Sequence, residues 1–320
     1  MLSFPLVLVV LVGAHGLASR SNLSPSAGAA AWLSILALRA AVTISIVLAV
    51  FAEGWVGQVF TWFPAWCFHA AAPVSQIHLG FSGHALGDIA SILPATALVV
   101  SLAASGLGMW LAARAVAAWL AESTLGDGPA GSTMVRDPAP MLGAAGVMRP
   151  VVVVSAPALV SLDDAELAAA LQHEWGHIRR FHRLLMLLAG GLMALSRPLP
   201  GGRAALGRVR FYLERDADEY AVRQTGDALS LASAICKVAI ARTFPVGPAF
   251  ASLGAEYTAA RLRVLLGHDQ RPRQRSSSLA CVGALIVILA AVVVLTSIAP
   301  VVAATGLDQL HVSLGSAGCG

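Results

Sequence analysis

Charge is scarce in this chain. Asp, Glu, Lys and Arg together make up 12% of its 320 residues, about half of the roughly 25% usual in a soluble globular domain. With 57% apolar residues and a mean hydropathy of +0.76, an ordinary water-soluble fold is excluded as the expectation, and lipid enters as part of the solvent. Lys and Arg are missing altogether from 52–91 and from the tail after Val302, which excludes those segments from the cytoplasmic side under the positive-inside rule. No basic residue precedes the first apolar run, Leu2–Ala18. A cleaved signal peptide opens on positive charge, so this run is read as a retained helix with its N-terminus outside. No internal repeat is present, and no low-complexity tract beyond alanine-rich helices, so a repeat array is excluded as well.

What is there is apolar runs of bilayer length. Leu2–Ala18, Ala31–Phe51, Ile92–Ala113 and Leu279–Val302 are each near the roughly 20 residues that cross a hydrocarbon core as helix. All but two of the 21 basic residues lie between Arg114 and Arg275, a segment with a net charge of +5. The rule that basic loops stay inside then predicts the topology. Residues 1–113 form a membrane region of three helices with an outer loop at 52–91. Residues 114–278 form a cytoplasmic domain, 279–302 a fourth span, and 303–320 a short outer tail. The fold class expected is a mainly α integral membrane protein with an α+β domain inserted between its third and fourth spans. Both termini are expected outside, with the chain in the plasma membrane. The lipid bilayer is one partner; the basic balance reports topology and predicts no direct nucleic-acid binding.

Inside that domain, residues 132–160 carry the β-branched runs, Pro and Gly of a short strand array. "RPVVVVS" is its clearest strand, read either as a core strand or as an edge to which an extended peptide adds. Ser161 is expected to cap the helix that follows, with Asp163 and Asp164 in its first turn. The run 184–195, "LLMLLAGGLMAL", is too short to span comfortably; it is either a buried core helix or a segment dipping into the inner leaflet. Two further helices are expected, over "RAALGRVRFYLERDADEYAVRQTG", ending at Gly226, and over "DALSLASAICKVAIART".

The chemistry sits in "QHEWGHIRR", residues 172–180. His173 and His177 are four apart, so both imidazoles leave one helix face about one turn apart and can share a tetrahedral Zn²⁺. Glu174, offset around the helix, is the candidate catalytic base. This H-E-x-x-H pattern is that of zinc peptidases, in which one zinc ion polarises the scissile carbonyl and acidifies water. A catalytic zinc takes a third protein ligand. Arg180 and Arg183 stand where a metzincin would place Gly and His, which excludes that class. His182, nine residues past His173, falls on the opposite face of a continued helix and is read as a surface residue. The best third ligand is Glu214 of "ERDAD", with Asp218 one turn on as the group that orients a ligand histidine. Asp216 and Glu219 are read as solvated. Phasing singles out no residue for the oxyanion, Tyr212 and Tyr220 included.

The ordered set "RPVVVVSAPALVSLDDAELAAALQHEWGHIRRFH" and "ERDADEYAV", with three helices before and one after, resembles the BlaR/MecR-type membrane zinc metallopeptidases of bacteria. The resemblance covers most of the chain, with its specific motifs in 150–225. It implies a zincin-like metallopeptidase domain facing the cytoplasm, with His173, His177 and Glu214 as zinc ligands, Glu174 as base and Asp218 in support. The implied substrate is a BlaI/MecI-type winged-helix repressor, cleaved in antibiotic-resistance signalling, along with self-cleavage. The family's penicillin-binding sensor domain is not expected, since no S-x-x-K motif follows Val302. An HtpX/CAAX-type quality-control or processing protease is the alternative enzyme. A signalling scaffold with a structural zinc is the non-enzymatic alternative; such a site is normally closed by a fourth ligand, commonly Cys. Cys67 and Cys319, both on the predicted outer side, are candidates for a disulfide.

Overall fold

The structure is a computed structural model that describes residues 16, 23–56, 83–146, 149–241 and 248–267. The expected spans Leu2–Ala18 and Leu279–Val302, the tail 303–320, most of the outer loop, and Cys67, Cys281 and Cys319 lie outside the described residues. The chain is mostly helical with one small mixed sheet. Helix α1 (Pro25–Val56) and helix α2 (Gly83–Ser123) come first. Strands β1 (Thr124–Asp127), β2 (Thr133–Val135), β3 (Leu142–Ala145) and β4 (Val151–Ser155) follow. Then come α3 (Ala156–Ser161), α4 (Asp164–Arg179), α5 (His182–Leu195), α6 (Gly202–Thr225), α7 (Ala228–Ala241) and α8 (Pro248–Leu265).

Among the described residues, two helices are long and apolar enough to cross a membrane, over Pro25–Val47 and Leu93–Ser123. They meet their surroundings differently. The second has no buried residue in its most apolar stretch and exposes Val99, Val100, Leu107, Trp110 and Leu111. At 41 residues α2 is about 60 Å long and continues without a break past Arg114 to Ser123. The first is more than half buried: Trp32, Ile35, Leu36, Leu38 and Val42 join Ala205, Val209, Phe211, Tyr212 and Leu213 of α6 in one core. A glycine lets the two backbones approach. A Cβ on Gly28 would overlap Cε1 of Tyr212. Arg39, buried in α1, donates from Nη2 to the carbonyls of Leu199 (2.8 Å) and Pro200 in the α5–α6 turn. Those carbonyls take the charge that interrupts the apolar run.

Helix α5 joins this helical layer through Ala189, with Leu185, Met186, Leu192 and Met193 packed against the same core. Its other face leaves Leu184 and Leu188 about half exposed. Residues 184–195 are thus core on one side and open apolar surface on the other.

The sheet has the order β1-β2-β4-β3, parallel between β2 and β4 and antiparallel elsewhere. β4 is therefore interior, paired on both sides, and cannot be the edge that one reading of "RPVVVVS" required. Its unbroken valine run follows from burial on both faces. Val152 and Val154 pack on Leu171, Trp175 and Ile178 of α4, whereas Val153 packs towards Trp119 and Leu120 at the end of α2. The sheet thus ties the site helix to the long apolar helix. Ser155 ends β4 and caps α3, accepting from Ala158 N at 3.4 Å.

The cap of α4 is Asp163 rather than Ser161. Asp163 accepts from Glu166 N (2.9 Å), and Glu166 reaches back to Asp163 N (3.0 Å), a reciprocal box. Ser161 instead closes α3 through Ala158 O, with Leu162 between the two helices. The same Glu166 takes Lys237 at 2.6 Å and so fastens α4 to α7. Overpacking a close helix contact typically costs about 1–3 kcal/mol. Gly28→Ala is accordingly expected to lower the thermal midpoint of the detergent-solubilised chain by displacing Tyr212; an unchanged midpoint contradicts the α1–α6 packing described here.

Candidate metal centre

Helices α4 and α6 cross at two small residues. A Cβ on Gly176, inside the H-E-x-x-H turn, would lie 3.3 Å from Cα of Ala217 and 3.1 Å from Tyr220 Cδ1. The absent side chain lets α4 settle on α6. That approach brings His173 and His177 opposite Glu214 and Asp218.

His173 Nε2 and His177 Nε2 are 3.1 Å apart. Glu214 offers Oε2 at 3.5 Å from His173 Nε2 and Oε1 at 3.7 Å from His177 Nε2. A tetrahedral zinc with bonds of about 2.0–2.1 Å separates its donors by about 3.3 Å, so this donor set fits a single divalent ion without rearrangement of the helices. Among the described residues, these three are the group whose ligand atoms converge in this way. His173 is nearly buried, and Glu214 is about one-third exposed at its side chain, so the cluster has an open side.

Around the donors lies a set of paired charges. His173 Nδ1 is 2.9 Å from Asp218 Oδ1, the contact expected of the orienting carboxylate, though inclined away from a linear hydrogen bond. Asp218 is in turn gripped by Arg261 of α8, which donates from Nε (2.8 Å) and Nη2 (2.7 Å). Nη1 of the same guanidinium is 2.9 Å from Glu214 Oε2. Sequence reasoning missed Arg261. It lies 43 residues beyond Asp218, and nothing in the amphipathic run "GAEYTAARLRVLLG" distinguishes it from an ordinary surface arginine. Glu174 projects from the same turn as His173, and its charge acts on the guanidiniums of Arg183 and Arg261.

Two expectations are corrected. His182 is not on the surface: it is 3% exposed. Its Nδ1 lies 3.0 Å from His177 Nδ1 and its Nε2 3.1 Å from Asp216 Oδ2. The phasing failed because α4 stops at Arg179 and Phe181 turns left-handed (φ 56°, ψ 32°), so His182 starts a new helix. Asp216 is likewise buried, held by Arg180 Nη1 at 2.5 Å and by His182. Glu219 is part-exposed and pairs with Arg223 at 2.7 Å. Of the two tyrosines, Tyr220 OH accepts from Arg179 (2.9 Å) and Tyr212 packs on α1.

The electrostatics follow from these neighbours. Burial alone would depress the His173 pKa, but Asp218 and then Glu214 outweigh it and push it up to about 10. Burial, reinforced by the charge of His173, drives His177 down to about 3. Burial would raise Glu214 and Asp218; the bond from His173 and the charge of Arg261 more than reverse this and hold both below the usual carboxylate range. The metal-free cluster is thus one protonated and one neutral imidazole facing ionised carboxylates.

No family profile matches the chain, and no curated protein or solved structure is significantly similar to it.

An ion entering this site must displace the proton on His173. With the His173 pKa at about 10, zinc affinity is expected to rise about tenfold per pH unit between neutrality and that value. Calorimetry near pH 7.5 in buffers of different ionisation heat should report about one proton released per ion. An enthalpy independent of buffer contradicts this charge state.

Proposed function

We propose that the chain is a membrane-bound, zinc-dependent endopeptidase of the BlaR/MecR type, which hydrolyses a peptide bond in a cytoplasmic winged-helix repressor and in itself. The observation that carries this reading is the convergence of His173, His177 and Glu214 on one point, with Glu174 one residue from the first of them. Three protein donors leave a tetrahedral position for substrate or water, as catalytic sites do and structural sites do not. No cysteine belongs to the cluster among the described residues, which speaks for an enzyme over a clamped scaffold.

His173, His177 and Glu214 would hold the ion, which when bound supplies Lewis acidity and a more acidic water. The remaining work belongs to side chains of this chain. Glu174 takes a proton from the attacking water on its carboxylate and delivers it to the leaving amine. Asp218 and Arg261 hold His173 and Glu214 in place. The extended substrate adds to β3, the sheet edge next to β4, with main-chain hydrogen bonds supplying affinity. Arg183 secures the end of that edge by donating to Gly146 O. The exposed leucines of α5 and the unburied face of α2 are the surfaces such a protein would give to lipid, with the site on the cytoplasmic side by the charge asymmetry of its loops.

Removing a general base typically slows the chemistry about 10²–10⁴-fold. Glu174→Gln should therefore keep its zinc while losing cleavage by that margin, read by mass spectrometry of a mixed peptide library and of a co-expressed winged-helix repressor. Undiminished cleavage by the variant, or a wild-type chain that holds zinc and cuts nothing, contradicts the proposal.

A further inference from the structure

We propose that His182, itself held by Asp216, fixes the His177 imidazole as the tautomer protonated at Nδ1, so that its Nε2 lone pair faces His173 and Glu214. The consequence for catalysis rests on the metallopeptidase reading above; the tautomer itself does not.

The hydrogen bonds around His182 run in one direction. Asp216 is clamped by a cation, with Arg180 Nη1 2.5 Å from Oδ1 and 3.1 Å from the Asp216 carbonyl oxygen. Its other oxygen, Oδ2, is an acceptor 3.1 Å from His182 Nε2, so that nitrogen carries the hydrogen. A neutral imidazole that donates at one nitrogen accepts at the other. His182 Nδ1 is therefore the acceptor for the group 3.0 Å away, which is His177 Nδ1. His177 donates there, and Nε2, on the far side of its ring, is left with its lone pair directed into the cluster. The two ring centroids are 4.9 Å apart and the ring planes lie at 81°, an angle that a contact between ring nitrogens permits. His173 receives its orienting carboxylate directly, from Asp218; His177 receives one through a second imidazole.

A backbone turn places His182 behind His177. Phe181 is non-glycine, two-thirds exposed and left-handed, a conformation that L side chains rarely adopt. Such outliers persist where the surroundings over-determine them and gather at functional sites. Here the left-handed residue ends α4 and turns the chain back, so that the next side chain reaches behind His177. His182 is thus a positioning residue, acting on the site only through His177.

The test uses the full chain in detergent. His182→Phe keeps the ring volume and loses the acceptor; His182→Asn loses volume and keeps an acceptor at the position of Nδ1. Loss of such an outer partner typically weakens metal affinity about 10- to 100-fold. Zinc affinity by chelator competition should fall by that factor in His182→Phe and stay within about threefold of wild type in His182→Asn. The reverse order, or no change in either, overturns the inference and leaves His182 a packing residue. ¹⁵N–¹H spectra of the histidine-labelled, zinc-free wild-type chain provide a second readout that needs no variant. A proton on Nδ1 of His177 supports the inference, and a proton on Nε2 overturns it. A wild-type chain that binds no zinc would overturn the proposed function, and the tautomer measurement would still decide this one.

Discussion

Carboxylates taken out of water are costly unless each finds a cation or a hydrogen-bond donor. The α4–α6 contact buries Asp216 and Asp218 and leaves Glu214 part-covered. Each is answered. Arg261 spans Asp218 and Glu214, Arg180 and His182 share Asp216, and His173 stands between Asp218 and Glu214. The donors of the candidate metal centre are therefore fixed by the pairing that makes burial tolerable. The donor atoms held in this way lie close enough together to share one divalent cation.

The close approach on which this depends is a matter of small residues. Gly176 and Ala217 let the helices touch, and the sheet presses α4 onto α6 from the other side through Val152 and Val154. The same sheet contacts the end of α2 through Val153, while α1 covers α6. The site is in this way joined to both of the described helices that are long and apolar enough to cross a bilayer.

Local periodicity carried much of this into the sequence. The four-residue spacing of His173 and His177, and of Glu214 and Asp218, places each pair on one helical face, and the observed geometry brings the two faces together. The end of α6 at Gly226 and the extent of β4 were legible for the same reason, since glycine and β-branched runs act locally. What stayed hidden depended on tertiary structure. His182 was misplaced because phasing extends a helix that Phe181 ends. Asp216 looked solvated because its partners, Arg180 and His182, come from the junction of α4 and α5. Arg261 was unnoticed because its partners lie more than forty residues away. The interior position of β4 follows from pairing with β2 and β3, which no local pattern encodes. Asp163 displaced Ser161 as the cap because Glu166, three residues on, returns the hydrogen bond.

The most direct test of the account is the metal content and coordination of the purified full chain, by elemental analysis joined to zinc X-ray absorption. Two imidazole nitrogens and a carboxylate oxygen sharing one ion predict about one zinc per chain, bonded to nitrogen and oxygen at about 2.0–2.2 Å, and lost together when His173 and His177 are replaced by alanine. A chain without stoichiometric metal, or a zinc whose shell contains sulfur or survives that double replacement, contradicts it.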